Sequence, residues 1–182
     1  MEHFYKNLGE NWFTYPGLYS MIVDKYPTNS HFVEVGVWKG MSASYMAVEI
    51  INSKKNIKFD CIDIWEYLDD QSDIPEILFE DIYQTFLKNI DPVKHIITPI
   101  KELSCEGAKR YENESLDFVF IDAAHDYESV KKDITAWLPK IKKGGTIAGH
   151  DYSWCEDVKK AVHEFFQEKE IHVREGCWIY FN

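Results

Sequence analysis

Apolar and polar positions along the chain follow two alternating periods, which predict strands that alternate with helices. Continuous apolar runs typical of buried strands occur at residues 31–35, 58–65, 95–100, 116–122 and 145–151. Between these runs apolar residues recur every three or four positions, as in amphipathic helices. The first such helix carries its apolar face on Ala43, Met46, Ala47, Ile50 and Ile51. The chain ends in two short strands about one glycine apart, which predicts an antiparallel hairpin.

The same spacing predicts the remaining helices. One is expected over residues 75–90, with Phe79, Ile82, Phe86 and Ile90 on one face, after an acidic loop at 66–75 that could cover a site. A short helix is expected from Ser104, and another carries Tyr127, Val130, Ile134, Trp137 and Ile141 and stops at residues 142–145. The last helix is expected after the fifth strand, with Val158, Ala161, Val162, Phe165 and Phe166 on one face. Residues 1–30 are expected to form a leader helix or lid, with Leu18, Met21, Ile22 and Tyr26 at helical spacing. Five β–α units and a hairpin predict a three-layer α/β domain, a single domain over residues 1–182, with a mostly parallel sheet.

Composition narrows the range of partners. The formal charge of −11, without a basic run, argues against binding to nucleic acid or to an anionic membrane, so a small neutral or cationic substrate is expected. No apolar run approaches the roughly 20 residues of a membrane span, and the first residues do not resemble a signal peptide, which predicts a soluble, cytoplasmic protein. The four cysteines lack zinc-ligand spacing, and Cys61 is expected in the core.

The stretch from His31 to Ser44 contains the first candidate binding site. Its apolar run predicts a strand, Gly36 allows the backbone to approach a ligand, and Gly40 precedes a helix. The pattern Glu-x-Gly-x-x-x-Gly is not the Gly-x-Gly-x-x-Gly of dinucleotide-binding proteins. Asp63, at the end of the second strand, is expected to accept both ribose hydroxyls of a nucleoside bound over this turn.

Further polar residues end other strands of the predicted sheet. Because ligands of such sheets bind at the carboxyl ends of the strands, these residues are expected at one edge. They are Glu34, Asp63, Asp122, His150 and Asp151.

The segments VEVGVWKGMS, CIDIW, SLDFVFIDAAHDY and KKGGTIAGHDY resemble class I S-adenosylmethionine-dependent methyltransferases. Within that superfamily they are similar to the branch that includes macrolide-sugar O-methyltransferases and cephalosporin-biosynthesis enzymes, over roughly residues 31–165. The resemblance implies a Rossmann-like methyltransferase fold with a seven-stranded sheet in the order 3-2-1-4-5-7-6. It also implies methyl transfer from S-adenosyl-L-methionine to a small-molecule acceptor, a sugar or secondary-metabolite hydroxyl.

The resemblance also assigns roles to residues. It implies that Glu34 and Gly36 hold the methionine end of the cofactor, that Asp63 binds its ribose and that Ser104 touches its adenine. The full set of cofactor-binding residues is Glu34, Gly36, Val37, Gly40, Ser42, Asp63, Ser104 and Asp122. His125 matches the general base of the group, since it lies about one turn past a strand-end carboxylate.

The branch further implies a divalent ion held after strands four and five. Asp122 and Asp151 match the acidic ligands, whereas His150 stands where the family more often has a carboxylate. These three residues predict Mg²⁺ or, because of the imidazole, Mn²⁺. The alternative is a hydrogen-bond network of strand-end side chains without a metal.

The sequence is also compatible with two other functional classes. One is a nicotinamide or nucleotide-sugar enzyme on a similar sheet, and the other is a non-catalytic cofactor-binding domain. A base and ligands at the strand ends favour an enzyme over a plain binder. The aromatic residues Trp12, Phe13 and Tyr15 are as well suited to a partner surface, as in a homodimer, as to a lid.

Overall fold

Residues 1–9, 12–66 and 81–182 are described by a computed structural model and form a seven-stranded sheet in the order β3-β2-β1-β4-β5-β7-β6. β1 to β5 run parallel, whereas β7 is antiparallel to both β5 and β6. The predicted fold class, strand order and terminal hairpin are therefore confirmed. The strands are β1 (His31–Val35), β2 (Lys58–Asp63), β3 (Ile97–Lys101), β4 (Leu116–Ile121), β5 (Ile141–Gly149), β6 (His172–Arg174) and β7 (Cys177–Phe181).

Helices cover both faces of the sheet. They are α1 (Pro16–Lys25), α2 (Met41–Ser53), α3 (Ile82–Ile90), α4 (Ser104–Ala108), α5 (Tyr127–Trp137) and α6 (Glu156–Phe165). Side chains of the central strands alternate between two buried clusters: Phe32 packs with α1, α2 and α3, and Val33 packs with α4, α5 and α6. Burial on both faces explains why the central strands read as continuous apolar runs. Cys61 is fully buried, as predicted.

Some boundaries differ from the sequence prediction. The α5 helix ends at Trp137, a 3₁₀ turn follows at Leu138–Lys140, and β5 begins at Ile141 rather than at Gly145. Ile141 pairs with Leu116, and the register shifts before Phe118, where Gly144 has a positive φ of 81°. Ile141 continues the helical spacing, but spacing does not distinguish a buried helix residue from the first residue of a buried strand. β2 ends at Asp63 rather than at Trp65, and β3 begins two residues later than predicted.

The predicted leader helix is present as α1, and it is tied down at both ends. The Glu175 carboxylate, in the β6–β7 turn, accepts hydrogen bonds from the backbone N–H groups of Gly17 (3.2 Å) and Leu18 (2.8 Å). At the other end the Lys55 ammonium donates to three backbone carbonyls, those of residues 23, 24 and 26. The segment before α1 is therefore held against the sheet.

The prediction that the aromatic residues before α1 form an exposed surface is largely wrong. Phe13 and Tyr15 are buried in the chain's own core, and only Trp12 of the three is exposed. The homodimer stays a prediction.

Two other predictions fall at the edge of what is described. Nearly all of the acidic loop at 66–75, and the first part of the helix expected from residue 75, including Phe79, lie outside the described residues. The part that is described, α3, buries Ile82, Phe86 and Ile90 as predicted. Within the described ranges, no helix has the length and apolar character needed to cross a bilayer.

Candidate functional site

A cavity of about 620 Å³ opens at the carboxyl ends of β1 to β4. Its volume is within the range of small-molecule pockets. Of the predicted cofactor residues, Gly36, Asp63, Ser104 and Asp122 line this cavity. The other four are not among the described residues that line it; they are Glu34, Val37, Gly40 and Ser42.

Gly36 lies where the β1–α2 turn crosses the end of β4. Its φ is +81°, and a Cβ atom built on it would lie 2.0 Å from the carbonyl oxygen of Asp122. The neighbouring backbone is tied in the same place, since Gly36 donates to the Ile62 carbonyl (2.8 Å) and Asp122 donates to the Val35 carbonyl (2.8 Å). The packing of the chain itself therefore requires glycine at position 36.

Asp63 joins the turns that follow β1 and β2. Its Oδ2 accepts from the backbone N–H groups of Val37 (2.8 Å) and Trp38 (2.9 Å), and its Oδ1 accepts from that of Trp65 (2.7 Å). Both tryptophans have positive φ, 47° and 46°, a strained conformation that these bonds help to hold. A carboxylate has about four acceptor positions, and a fourth backbone N–H, that of Ile64, also acts on this carboxyl group. Asp63 thus holds the two turns in place, and its expected contact with both ribose hydroxyls stays a prediction.

Glu34 and Ser42 form a buried pair behind the Gly36 turn. The Ser42 hydroxyl donates to Oε1 of Glu34, whereas Oε2 has no hydrogen-bond partner among the described residues. Burial raises the pKa of Glu34 to about 8, despite the Ser42 hydrogen bond, which lowers the pKa. This carboxyl group supports the turn from behind and does not line the cavity.

A cluster of carboxylates and imidazoles lies at the β4 and β5 strand ends. Nε2 of His125 is 2.8 Å from Oδ2 of Asp151 and 3.8 Å from Oδ1 of Asp122. One ligand atom from each of these three residues lies within 4.8 Å of the others. The structure therefore brings His125 together with the two predicted acidic ligands. His125 is 54% exposed at its side chain, so its imidazole faces the opening.

His150, the third predicted metal ligand, lies beside this cluster rather than in it. Its Nδ1 is 3.3 Å from Oδ1 of Asp151 and 3.7 Å from Oδ1 of Asp122. Its Nε2 is engaged with the Thr14 hydroxyl at 2.9 Å. His150 therefore bridges the carboxylates to the segment before α1.

The charges of the cluster compensate one another. The carboxylates of Asp122 and Asp151 raise the pKa of His125 to about 10. Burial lowers the pKa of His150, but the same carboxylates outweigh burial and raise it to about 9. Burial also opposes ionisation of both carboxyl groups, yet the two imidazoles hold the pKa of Asp122 and Asp151 below their usual range. An unperturbed histidine side chain is largely neutral at pH 7, whereas contact with the two acids favours the imidazolium form of His125.

Two contacts of the cluster are absent from the sequence prediction. The Tyr15 hydroxyl donates to Oδ2 of Asp122 at 2.8 Å, although the two residues are 107 positions apart. The Trp154 indole N–H donates to Oδ1 of Asp151, and its ring lies edge-on to His150 at 5.0 Å. No spacing in the sequence indicates the Tyr15 contact, whereas Trp154 lies three residues after Asp151, within reach of a local side-chain contact.

The opposite side of the cavity is formed by α4 and α5. Ser104 lines this side, and its Oγ accepts a hydrogen bond from the Trp137 indole N–H at 3.0 Å. Asp133, which the sequence analysis does not single out, also lines this side. In the sequence, its burial is indicated only by its position directly beside the apolar face that contains Val130, Ile134 and Trp137.

Comparison with solved structures gives many similar folds at low sequence identity. The O-methyltransferase NovP superimposes with a TM-score of 0.70 at 18% identity, over 92% of this chain and 78% of NovP. A Podospora anserina methyltransferase, PaMTH1, solved with S-adenosylhomocysteine, gives 0.62 at 15% identity, over 92% of this chain and 77% of that one. MycE of mycinamycin biosynthesis, solved with Mg, S-adenosylhomocysteine and mycinamycin VI, gives 0.60 at 14% identity, over 94% of this chain and 50% of MycE. At these identities the likeness establishes the fold.

Sequence comparison identifies the family. No curated protein matches the chain significantly. The family profile described as a methyltransferase domain matches residues 33–152, about two thirds of the chain, from the middle of β1 to just beyond Asp151. The matched region contains Gly36, Asp63 and the Asp122–His125–Asp151 cluster. The chain therefore belongs to the methyltransferase domain family.

Proposed function

We propose that this protein transfers the methyl group of S-adenosyl-L-methionine to a hydroxyl group of a small molecule. The observation that carries the proposal is the position of the Asp122–His125–Asp151 cluster, which adjoins one side of a nucleoside-sized cavity. The S-adenosylhomocysteine in the PaMTH1 and MycE structures supports the choice of cofactor. NovP, an O-methyltransferase, and MycE, solved with mycinamycin VI, also support methyl transfer to an oxygen of a small molecule.

In this proposal the cofactor extends from α4 to the end of β4. Ser104 lies at the adenine end, Asp63 faces the ribose, and the methionine part passes Gly36. The methyl group then faces Asp122 and His125, the end of the cavity that opens to solvent. Catalysis would consist chiefly of alignment of the acceptor oxygen with the methyl carbon, followed by removal of the hydroxyl proton.

The chemistry of the cluster fits a divalent ion. Two carboxylates and one imidazole form a mixed oxygen and nitrogen donor set, which suits Mn²⁺ at least as well as Mg²⁺. Asp122 and Asp151 would hold the ion, with His150 as the imidazole ligand, so that His125 stays available as the base. A bound ion would supply positive charge that favours ionisation of a nearby hydroxyl group.

His125 is the group proposed to receive the acceptor proton. Its imidazole is the exposed member of the cluster, and Asp151 holds Nε2 at 2.8 Å. An imidazolium cannot accept a proton, so the role requires that other positive charge balances Asp122 and Asp151. Tyr15 and Thr14 position the buried side of the cluster, through Asp122 and His150.

The remaining proposals concern the surroundings of the protein. The net charge of −11 favours a small-molecule acceptor over nucleic acid or an anionic membrane. We also propose, on the sequence alone, a cytoplasmic location and assembly as a homodimer.

Calorimetry with S-adenosylhomocysteine and NADH tests the cofactor. We expect S-adenosylhomocysteine to bind and NADH to bind more weakly, because the β1–α2 turn lacks the dinucleotide pattern. Mass spectrometry of a panel of sugar, macrolide and phenolic hydroxyl compounds, incubated with S-adenosylmethionine and Mn²⁺ or Mg²⁺, should then show a gain of one methyl group. Tighter binding of NADH would refute the proposal, and binding without transfer to any acceptor would favour a non-catalytic cofactor-binding domain.

A further inference from the structure

The turn between β6 and β7 has no part in the proposed methyl transfer, and no described residue that lines the cofactor cavity belongs to it. Arg174 pairs with Cys177, and the two residues between them, Glu175 and Gly176, have positive φ values of 51° and 81°. Hairpin turns with positive φ at both central residues match the twist of their strands. The turn therefore presents Glu175 and Gly176 on a regular extension of the sheet.

The side chain of Glu175 fixes the start of α1. Its two oxygens accept from the backbone N–H groups of Gly17 and Leu18, at 3.2 and 2.8 Å. Because these N–H groups have no acceptor within the helix, the carboxylate satisfies them, and its negative charge lies at the positive end of the helix dipole. A Cβ atom on Gly17 would lie 2.8 Å from Oε1 of Glu175, so the turn packs directly against the helix start.

The residues just before α1 reach the buried side of the Asp122–His125–Asp151 cluster. The Tyr15 hydroxyl donates to Oδ2 of Asp122 at 2.8 Å, and the Thr14 hydroxyl lies 2.9 Å from Nε2 of His150. Only 1% of Tyr15 is exposed, and its ring centroid lies 4.7 Å from that of His150. Since Tyr15 directly precedes the first residue of α1, a shift of the helix start moves both contacts.

The same turn also contacts the other side of the cluster, through Trp154. The Gly176 carbonyl accepts from the backbone N–H of Ser153 at 3.4 Å. A Cβ atom on Gly176 would overlap the Trp154 ring, so the indole packs on the backbone of the turn. The indole N–H in turn donates to Oδ1 of Asp151. Asp122 and Asp151 are thus each held by a chain of contacts that begins at this turn.

We propose that the β6–β7 turn sets the separation of Asp122 and Asp151, with Glu175 as a positioning residue for the divalent-ion site. The inference rests on the proposed function, because these two acids would hold the ion. One ligand atom of each cluster residue lies within 4.8 Å of the others, and groups that orient such ligands contribute to metal affinity. Without Glu175 the start of α1 loses its anchor, and Tyr15 moves relative to Asp122, whereas Trp154 still holds Asp151.

The test measures the affinity of chelator-treated protein for Mn²⁺ alone by calorimetry. Glu175→Ala should weaken Mn²⁺ binding roughly 3- to 10-fold, less than the roughly 10- to 100-fold typical of a direct partner of a metal ligand. Glu175→Gln should recover most of this loss, because the amide oxygen still accepts from a backbone N–H. Glu170→Ala is the matched control, since Glu170 likewise accepts from a backbone N–H, that of Gln167, but within its own turn. The control should bind Mn²⁺ as wild type does.

A double-mutant cycle tests whether Glu175 acts through the residues before α1. Thr14→Val combined with Tyr15→Phe removes both hydroxyl contacts to the cluster side chains and should itself weaken Mn²⁺ binding. In that background Glu175→Ala should cause no further loss, because the groups that Glu175 positions are already absent. The same additional loss in both backgrounds would overturn the proposal.

Affinity for S-adenosylhomocysteine, measured without metal, separates positioning from general loosening of the protein. It should stay unchanged in Glu175→Ala, because the described lining of the cofactor cavity does not include the turn. Equal losses of Mn²⁺ and S-adenosylhomocysteine affinity would overturn the proposal. Should a thermal melt show that Glu175→Ala is unfolded, Glu175→Asp applies the same test, since aspartate tolerates the positive φ but its shorter side chain reaches less far.

The remaining outcomes separate this inference from the proposed function. Unchanged Mn²⁺ affinity in folded Glu175→Ala overturns the inference, and so does a wild type that binds no Mn²⁺. In either case, methyl transfer from S-adenosylmethionine by wild type would still support the proposed function. Mn²⁺ affinity that depends on Glu175, in a protein that transfers no methyl group, would refute the proposed function and support the positioning role.

Discussion

Replacement of Glu34 by glutamine should change how the stability of the protein depends on pH. The folded state raises the pKa of this buried carboxyl group from 4.5 to about 8. A group with a raised pKa binds its proton more tightly in the folded state. Its contribution is fully present below pH 4.5 and is lost as the pH rises through about 8.

The magnitude follows from the pKa shift. Each pH unit between the two pKa values costs about 1.4 kcal/mol of unfolding free energy. From pH 5 to pH 8 the ionisation of Glu34 should therefore remove up to about 4 kcal/mol. Glu34→Gln keeps the oxygen that accepts from Ser42 but does not ionise. The amide in place of Oε2 meets no described partner, which costs about 1–3 kcal/mol at every pH.

The assay is urea unfolding at pH 5, 6, 7 and 8, followed by tryptophan fluorescence. At pH 5 the free energy of unfolding of Glu34→Gln should be lower than that of wild type. By pH 8 this difference should be smaller or reversed, because only wild type has an ionisable group at position 34. Glu112→Gln, which neutralises an exposed carboxylate, should differ from wild type in free energy of unfolding by the same amount at each pH. An equal stability difference between wild type and Glu34→Gln at pH 5 and at pH 8 would refute a raised pKa of Glu34 in the folded protein.

Three further changes test the site. Asp63→Asn should lower the free energy of unfolding of the ligand-free protein by about 1–3 kcal/mol, measured in urea, because Asp63 holds both strand-end turns. The same substitution should weaken S-adenosylhomocysteine binding. Weaker binding with unchanged stability would contradict the role of Asp63 in holding the turns. His125→Ala should reduce turnover by roughly 10²- to 10⁴-fold with cofactor affinity retained, and exposed His95→Ala is the control; unchanged turnover in folded His125→Ala excludes the base. Activity should fall with chelator and return with Mn²⁺ or Mg²⁺; full activity in protein shown by elemental analysis to lack metal would favour the hydrogen-bond network.

The order of elements could be predicted from the sequence because each depends on local periodicity. Central strands buried on both faces appear as apolar runs, and helices with one buried face show a repeat near 3.6 residues. The boundary at Ile141 was not predictable, since the same apolar residue continues a helix or begins a strand, and only pairing with Leu116 decides between them.

The positions of the candidate site residues were likewise determined partly by the sequence and partly by the tertiary structure. The sequence by itself determined that Asp63, Asp122 and Asp151 end parallel strands, and parallel strands bring their carboxyl ends to one edge of a sheet. The tertiary structure decided which atoms meet there: Tyr15 with Asp122, His125 with Asp151, and Asp133 with the cavity. These contacts depend on how helices and turns pack across the strand ends. Periodicity assigns a residue to a face, but the neighbour that shares its environment, and with it the pKa, is fixed only when distant segments come together.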